Sequence, residues 1–269
     1  MFLARLSVAV TAALATTAVA DASSSDPFVT DGATLRLVTT GLPDETGRLR
    51  GAIEIRLEPG WKTYWKEPGA SGVPPQVDVG ASINVSAAML HFPAPEWHED
   101  RYGSWAGYGG PVVLPVTFTV EDPERFSVVE ADLFLGICET ICVPVQARLS
   151  VEPGGAPEDS ADAMLVAAAF AALPDEADER FGVTAATVSG DRLLVKVATQ
   201  SAEPGKAALF LAPGKGYVFG MPKAVATDPA EVTFEVPILS GPADGAVDAE
   251  VSYTLTAGAA AVTGVFTLP

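Results

Sequence analysis

The two cysteines of this chain, Cys138 and Cys142, lie four residues apart between two apolar runs, Val128 to Gly136 and Val143 to Val151, that both read as β-strands. Four residues along one extended strand span roughly 13 Å, whereas a disulfide needs its α-carbons within about 7 Å. If the sulfurs bond, the chain therefore reverses between them, and Glu139, Thr140 and Ile141 form a tight turn. Three-residue hairpin loops usually need a residue of positive φ, commonly Gly. None of these three suits that conformation, so strain in the turn is expected.

A lone cysteine pair in an exported protein is usually a structural staple. Loop size argues against that use here. On the chain-entropy model a bridge closing about five residues is worth roughly 2 kcal/mol, against about 4.7 for one spanning a hundred residues. Strained, exposed bridges are also the more reducible ones, so a structural and a redox role both stand at this point. Glu139 adjoins Cys138, and a neighbouring carboxylate disfavours the thiolate. The pair therefore reads as one that accepts or relays reducing equivalents from a dedicated partner, not as a self-activated nucleophile.

The compartment is read from the N-terminus. Arg5 precedes an apolar run from Leu6 to Ala15, and Ala18-Val19-Ala20 supplies the small residues that a signal peptidase requires before Asp21. Residues 1–20 are expected to be a cleaved secretory signal and the mature protein to be soluble and exported, since no stretch approaches the roughly 20 apolar residues of a membrane span. The chain carries 16 basic and 34 acidic residues, a formal charge of −18; residues 1–20 hold one base and no acid, so the mature chain has 15 bases, 34 acids and a charge of −19. Nucleic acid and anionic membrane surfaces are poor partners for that charge. With 48% hydrophobic and 19% charged residues, the composition is that of a globular protein.

A change of pattern near residue 152 divides the chain. Before it come short β-type runs, Thr34 to Val38, Gly51 to Leu57, Val112 to Val120 and the two that flank the cysteines, separated by Gly, Pro and Asp turns. Glu152-Pro153-Gly154-Gly155-Ala156-Pro157 interrupts them. Asp159 or Ser160 then caps an alanine-rich helix from about Ala161 to Leu173, ended by Pro174, that reads as a connector. Runs at Val183 to Val188, Arg192 to Val197, Ala207 to Leu211, Glu231 to Val236 and Ala249 to Leu255 resume the spacing of an antiparallel sandwich. The expected architecture is all-β: a signal (residues 1–20), a first β-sandwich (21–152), a linker with a short helix (153–178) and a second, smaller β-sandwich (179–269). The second half holds no Cys, His or Trp and reads as a packing or docking module.

Aromatic residues cluster in the first half. In Gly60-Trp61-Lys62-Thr63-Tyr64-Trp65, strand alternation puts Trp61, Thr63 and Trp65 on one face and Lys62 and Tyr64 on the other, with Trp61 expected in the core. The stretch from Trp97 to Tyr108 mixes glycines and charges as a loop does. Such a loop either covers a site or is an ordinary surface loop pinned by its aromatics.

In order along the chain, Gly60 to Trp65 through Pro74-Pro75, then Pro93-Ala94-Pro95-Glu96, then Tyr108 to Leu114-Pro115-Val116, and Cys138 to Cys142 with Pro144 resemble the periplasmic N-terminal domain of DsbD-type thiol:disulfide interchange proteins. The CxxxC spacing and the second β region look closer to the ScsB branch. The resemblance covers roughly residues 30–150. It implies an immunoglobulin-like β-sandwich in which the cysteine pair sits on a hairpin, accepts electrons from a membrane-embedded donor protein and passes them to periplasmic thioredoxin-like proteins, with no cofactor, metal or nucleic acid involved. Under it, Cys138 and Cys142 are catalytic through a mixed disulfide, Cys142 contacting partners and Cys138 resolving the intermediate.

The segment His98 to Gly103 resembles the cap loop of that family, whose aromatic shields the cysteines until a partner docks. Tyr102 is the shielding candidate and Trp105 the second, with Glu99 and Asp100 as acidic neighbours of the pair. Complete family members continue into a multi-helix membrane domain and a thioredoxin-like domain. This sequence shows neither, so its electron source is expected to be a separate protein. Two other readings stand beside this one: a non-enzymatic exported binding module with a structural disulfide, and a Cu(I) site formed by Cys138 and Cys142 with His91 or His98, although the histidines fit no ligand spacing. Ala212-Pro213-Gly214-Lys215-Gly216 lacks the spacing of a phosphate-binding loop.

Overall fold

Residues 28–151 supply strands β1 (Phe28–Thr30), β2 (Ala33–Thr39), β3 (Arg48–Leu57), β4 (Lys62–Tyr64), β5 (Gln76–Asp78), β6 (Val85–Leu90), β7 (Glu96–Asp100), β8 (Gly103–Tyr108), β9 (Val112–Val120), β10 (Val129–Cys138) and β11 (Cys142–Val151). The computed structural model describes residues 24–69, 72–100, 103–155, 160–199, 204–214, 216–228, 230–242 and 249–268; the expected signal, Tyr102 and Asp159 lie outside them. The strands form two sheets, in the orders β1-β2-β3-β9-β6 and β11-β10-β4-β8-β7, with β5 beside β10. Their inner faces meet in one core that includes Leu35, Leu37, Ile53, Leu114, Phe118, Leu133, Leu135 and Ile137. This is the expected immunoglobulin-like sandwich.

Side-chain parity explains what each strand buries. In β11, Val145, Ala147, Leu149 and Val151 are buried while Gln146, Arg148 and Ser150 are exposed, the period-2 pattern of a sheet with one wet face. β10 sends its odd-numbered residues, Val129 to Ile137, into the same core. At its end, however, Gly136 and Cys138 are buried as well. Their parity points them away from the core, so another group of side chains covers them.

Strand β3 is buried on both faces for a different reason. Helix α1 (Ser160–Ala171) lies across its outer side, with Val166 and Ala169 packed on Val38 and Ala52. Asp162, Val166 and Ala169 recur at helical spacing and form the buried stripe of α1. Arg36 reaches both Glu54 (3.1 Å) and Asp162 (3.3 Å), and the Arg50 guanidinium sits 3.8 Å over the Phe170 ring. The helix read as a connector is therefore also a packed layer of the first sandwich.

The remaining strands are β12 (Asp175–Glu176), β13 (Phe181–Ser189), β14 (Arg192–Thr199), β15 (Ala207–Pro213), β16 (Val218–Phe219), β17 (Lys223–Thr227), β18 (Glu231–Ser240), β19 (Glu250–Ala257) and β20 (Ala260–Thr267). They form sheets in the orders β12-β20-β19-β15 and β13-β14-β18-β16, with β17 also on β18, around Leu193, Val195, Val197, Val232, Phe234, Val236 and Leu255. Strand β15 also faces the first sandwich, with Ala208 and Ala212 against its core. Phe210 on β15, only 1% exposed, packs into the core of the first sandwich.

Each expected strand lies in or within one residue of an observed one. Two readings change. In place of the expected loop between Trp97 and Tyr108, strands β7 and β8 pair antiparallel, with Trp97 opposite Ala106 and His98 opposite Trp105. Cross-strand aromatic contacts there outweigh the poor strand propensity of their Gly, Glu and Asp residues. Trp61 packs against the core but stays half-buried, because its ring lies over the β1–β2 turn where Gly32 adopts φ 78° and leaves no room for a side chain.

Candidate functional site

The β10–β11 ladder runs from Val129 opposite Val151 to Cys138 opposite Cys142, and the last pair is joined by a disulfide with a Cα–Cα distance of 4.1 Å. Directly opposed strand residues are about 4.5–5.5 Å apart, so Glu139, Thr140 and Ile141 need span only one strand spacing. Among the described residues Asn84 is the non-glycine position with positive φ. The turn thus closes without a left-handed residue, and the strain expected from that source is absent. The two sulfurs differ in access: Cys138 is 1% exposed, whereas Cys142 lies in the exposed stretch from Glu139 to Pro144, beside Ile141 at 74% exposure.

The group covering Cys138 is Tyr64, with Trp105 behind it. The Tyr64 hydroxyl lies 3.1 Å from Cys138 Sγ and 3.0 Å from Cys142 Sγ. Disulfide sulfurs carry no proton, so the hydroxyl is the donor. Trp105 meets Tyr64 edge-on at 5.6 Å between ring centroids, and His98 stacks on Trp105 at 4.0 Å as its cross-strand neighbour. The Lys62 ammonium sits 4.4 Å over the Trp105 ring. Trp105 Nε1 and His98 Nε2 are buried without a hydrogen-bond partner among the described residues, so these two rings are held largely by packing.

Glycines make the seat for Tyr64. A Cβ on Gly136 would lie 3.1 Å from Tyr64 Cε2 and 3.0 Å from Val73 Cβ. One on Gly72 would approach Tyr64 Cδ1 to 2.9 Å and clash with Pro68, and one on Gly107 would strike the Thr63 carbonyl oxygen and come within 3.0 Å of Tyr64 Cα. Thr63 adds a tie across the sheet, its hydroxyl donating to the Gly136 carbonyl at 2.9 Å. Burial pushes the His98 imidazole below the usual histidine range, and Lys62 adds to this against the opposing pull of Glu96 and the Gly107 backbone. His98 is therefore neutral near pH 7.

Of the residues singled out from sequence, Cys138, Cys142 and Trp105 come together. Glu99 is exposed and accepts a hydrogen bond from Ser104 at 3.3 Å, on the hairpin face opposite His98 and Trp105. Asp100 pairs through its backbone with Gly103 at the hairpin tip. His91 lies against Thr117 (2.9 Å) and Phe170, and no group of three or more His, Cys, Asp or Glu side chains placed to hold a metal occurs among the described residues. Tyr64 was missed. Its signal was parity: strand alternation already set it on the face away from the core, the face Cys138 also occupies.

Residues 38–152 match the family model described as thiol:disulfide interchange protein DsbD, N-terminal. No curated protein matches the sequence. Among solved structures, the chain is similar to the crystal structure of the N-terminal periplasmic domain of ScsB from Proteus mirabilis, with 20% identity and a TM-score of 0.77 over 92% of this chain and 98% of that one. The motif resemblance is thus shown for the first sandwich, and the likeness of fold extends through the second.

Proposed function

We propose, from the DsbD N-terminal match of residues 38–152, that this chain is a periplasmic thiol–disulfide exchange protein that relays reducing equivalents through Cys138 and Cys142. The family match together with the disulfide supports a thiol–disulfide exchange domain. The observation that carries the reading is the placement of the bridge. It joins the last residues of a ladder whose register the β10–β11 hydrogen bonds already fix, so it adds little to the fold, and it leaves one sulfur accessible and the other covered.

In this reading the reduced pair attacks a substrate disulfide with the Cys142 thiolate. A mixed disulfide forms and one substrate sulfur leaves as thiolate. The Cys138 thiolate then attacks Cys142 Sγ, releasing the second substrate thiolate and restoring the Cys138–Cys142 bridge, with two electrons transferred to the substrate. A donor dithiol reduces the bridge again by the reverse sequence. The donor is a membrane-embedded protein and the acceptors are periplasmic thioredoxin-like proteins. Tyr64 and Trp105 cover the pair between encounters, with Tyr102 as a further part of the cap. The chain divides into units 21–152 and 179–269 joined by 153–178, after a cleaved signal at 1–20.

Equilibrating the folded protein with glutathione or dithiothreitol buffers and counting free thiols tests this. A reduction potential near or above about −250 mV is expected, and one below about −300 mV marks a structural bridge and ends the proposal. Trapping assigns the cysteines: Cys138→Ser is expected to accumulate the mixed disulfide through Cys142, and Cys142→Ser not to.

A further inference from the structure

The face of β4, β7 and β8 that looks away from the disulfide is held by the second sandwich. Trp65, Ala106 and Trp97 form a row across these strands: the Trp65 amide donates to the Ala106 carbonyl at 3.1 Å, and Ala106 pairs with Trp97. Phe210 of β15 closes over this row, stacked on Trp97 at 5.3 Å and 10°, and edge-on to Trp65 at 6.0 Å. The Trp97 indole N–H donates to the Leu209 carbonyl at 3.0 Å, and Lys66 Nζ donates to Ser252 Oγ at 3.3 Å.

Each anchored residue is the chain neighbour of a residue of the cover. Trp65 follows Tyr64, and Trp97 precedes His98, which stacks on Trp105. Neighbours in a strand point to opposite faces, so one face of this small sheet carries the disulfide cover and the other is gripped by Phe210.

We propose that the second sandwich clamps the hairpin β7–β8 in its covering position, with Trp97 and Phe210 as positioning residues that set how readily Cys138–Cys142 is reached. The proposal rests on the exchange reading above. A partner that displaces the hairpin must also disturb the Trp97–Phe210 stack, so the second sandwich determines the resistance of the cap to opening.

The test is the pseudo-first-order rate at which dithiothreitol reduces the oxidised, folded chain, residues 21–269, with folding checked by circular dichroism. Phe210→Ala and Trp97→Ala are each expected to speed reduction about tenfold, roughly the upper worth of one aromatic pair. Trp97→Phe keeps the stack and is expected to fall between wild type and Trp97→Ala. Phe234→Ala, a cavity in the second core away from the hairpin, is expected to lower the melting temperature but leave the rate unchanged. Wild-type rates in both Phe210→Ala and Trp97→Ala, or equal acceleration by Phe234→Ala, overturn the clamp. If Phe210→Ala does not fold, Trp97→Ala decides alone. Should the wild-type bridge itself resist dithiothreitol, the exchange reading fails, and the clamp with it.

Discussion

Removing the Tyr64 side chain gives the most direct measure of what covers the disulfide. The Tyr64 hydroxyl lies against both sulfurs, so a reductant has free approach to either one only after the ring leaves its place, which costs the edge-on contact with Trp105 and the hydroxyl contact with the sulfurs. The first is worth about 0.5–1.5 kcal/mol and the second about as much, together about 1–3 kcal/mol. At 1.4 kcal/mol per factor of ten, Tyr64→Ala is expected to be reduced by dithiothreitol about 5- to 150-fold faster than wild type. Tyr64→Phe loses only the hydroxyl and is expected to gain about 2- to 10-fold. Stopped-flow mixing, followed by Trp fluorescence or by acid-quenched thiol counting, gives these rates.

Tyr64→Ala also opens a cavity costing about 3–5 kcal/mol, so reduction through global unfolding must be separated from reduction through an open cover. Low urea does this. A rate limited by global unfolding rises steeply with denaturant, whereas one limited by the missing cover stays nearly flat below the transition. Wild-type rates in Tyr64→Ala, or an acceleration that tracks urea as unfolding does, refute Tyr64 as the cover.

Three further outcomes are expected. Gly107→Ala drives a methyl into the Thr63 carbonyl and should cost at the upper end of about 1–3 kcal/mol in chemical denaturation, and a wild-type midpoint contradicts the packing described. Arg36→Ala removes the guanidinium that bridges Glu54 and Asp162 while Glu54 keeps Arg56 at 2.7 Å, and a loss of about 1.5–3 kcal/mol is expected, with helix α1 exchanging its amides faster than β3; unchanged exchange in α1 counts against the bridge as its anchor. Stability should also fall in acid in two stages. Burial, aided by Arg50, holds His91 below the usual range, as burial and Lys62 do for His98, so below about pH 6.5 the unfolded chain binds more protons than the folded one and stability drops. Asp44, held at about 2 by the Thr46 hydroxyl and the Arg48 amide, adds a second loss between about pH 4 and 2, along with Asp132 and Asp178. Melting temperatures from pH 7 to 2 check both stages, and a flat profile from pH 7 to 5 rules out the histidine contribution.

Much of this was legible in the sequence because parity and turn residues are local. Alternation in Val143 to Val151 and the spacing of Cys138 and Cys142 lead directly to the hairpin that carries the bridge. Alternation around Trp65 also separates Tyr64 from the core, yet nothing local says which partner lies above it. That partner is Trp105, about forty residues away, on a hairpin whose glycines and charges disguise it as a loop. Phe210 was illegible for the same reason. It sits in an ordinary apolar run of the second sandwich, and only the packing of the two sandwiches turns it toward Trp97.

The seat of Tyr64 has a genetic consequence. Every amino acid reachable from a glycine codon by one base change carries a Cβ, and at Gly72, Gly107 and Gly136 that atom meets the tyrosine or the backbone beside it. In a library of point mutants Gly72 and Gly107 stand closed, and Gly136 accepts a side chain only if Val73 and Tyr64 give way by a few tenths of an ångström. The exposed turn from Glu139 to Ile141, which joins the two cysteines, stays open to change. Variation near this disulfide is thus directed to the exposed turn beside Cys142, which can drift in sequence while the cover does not.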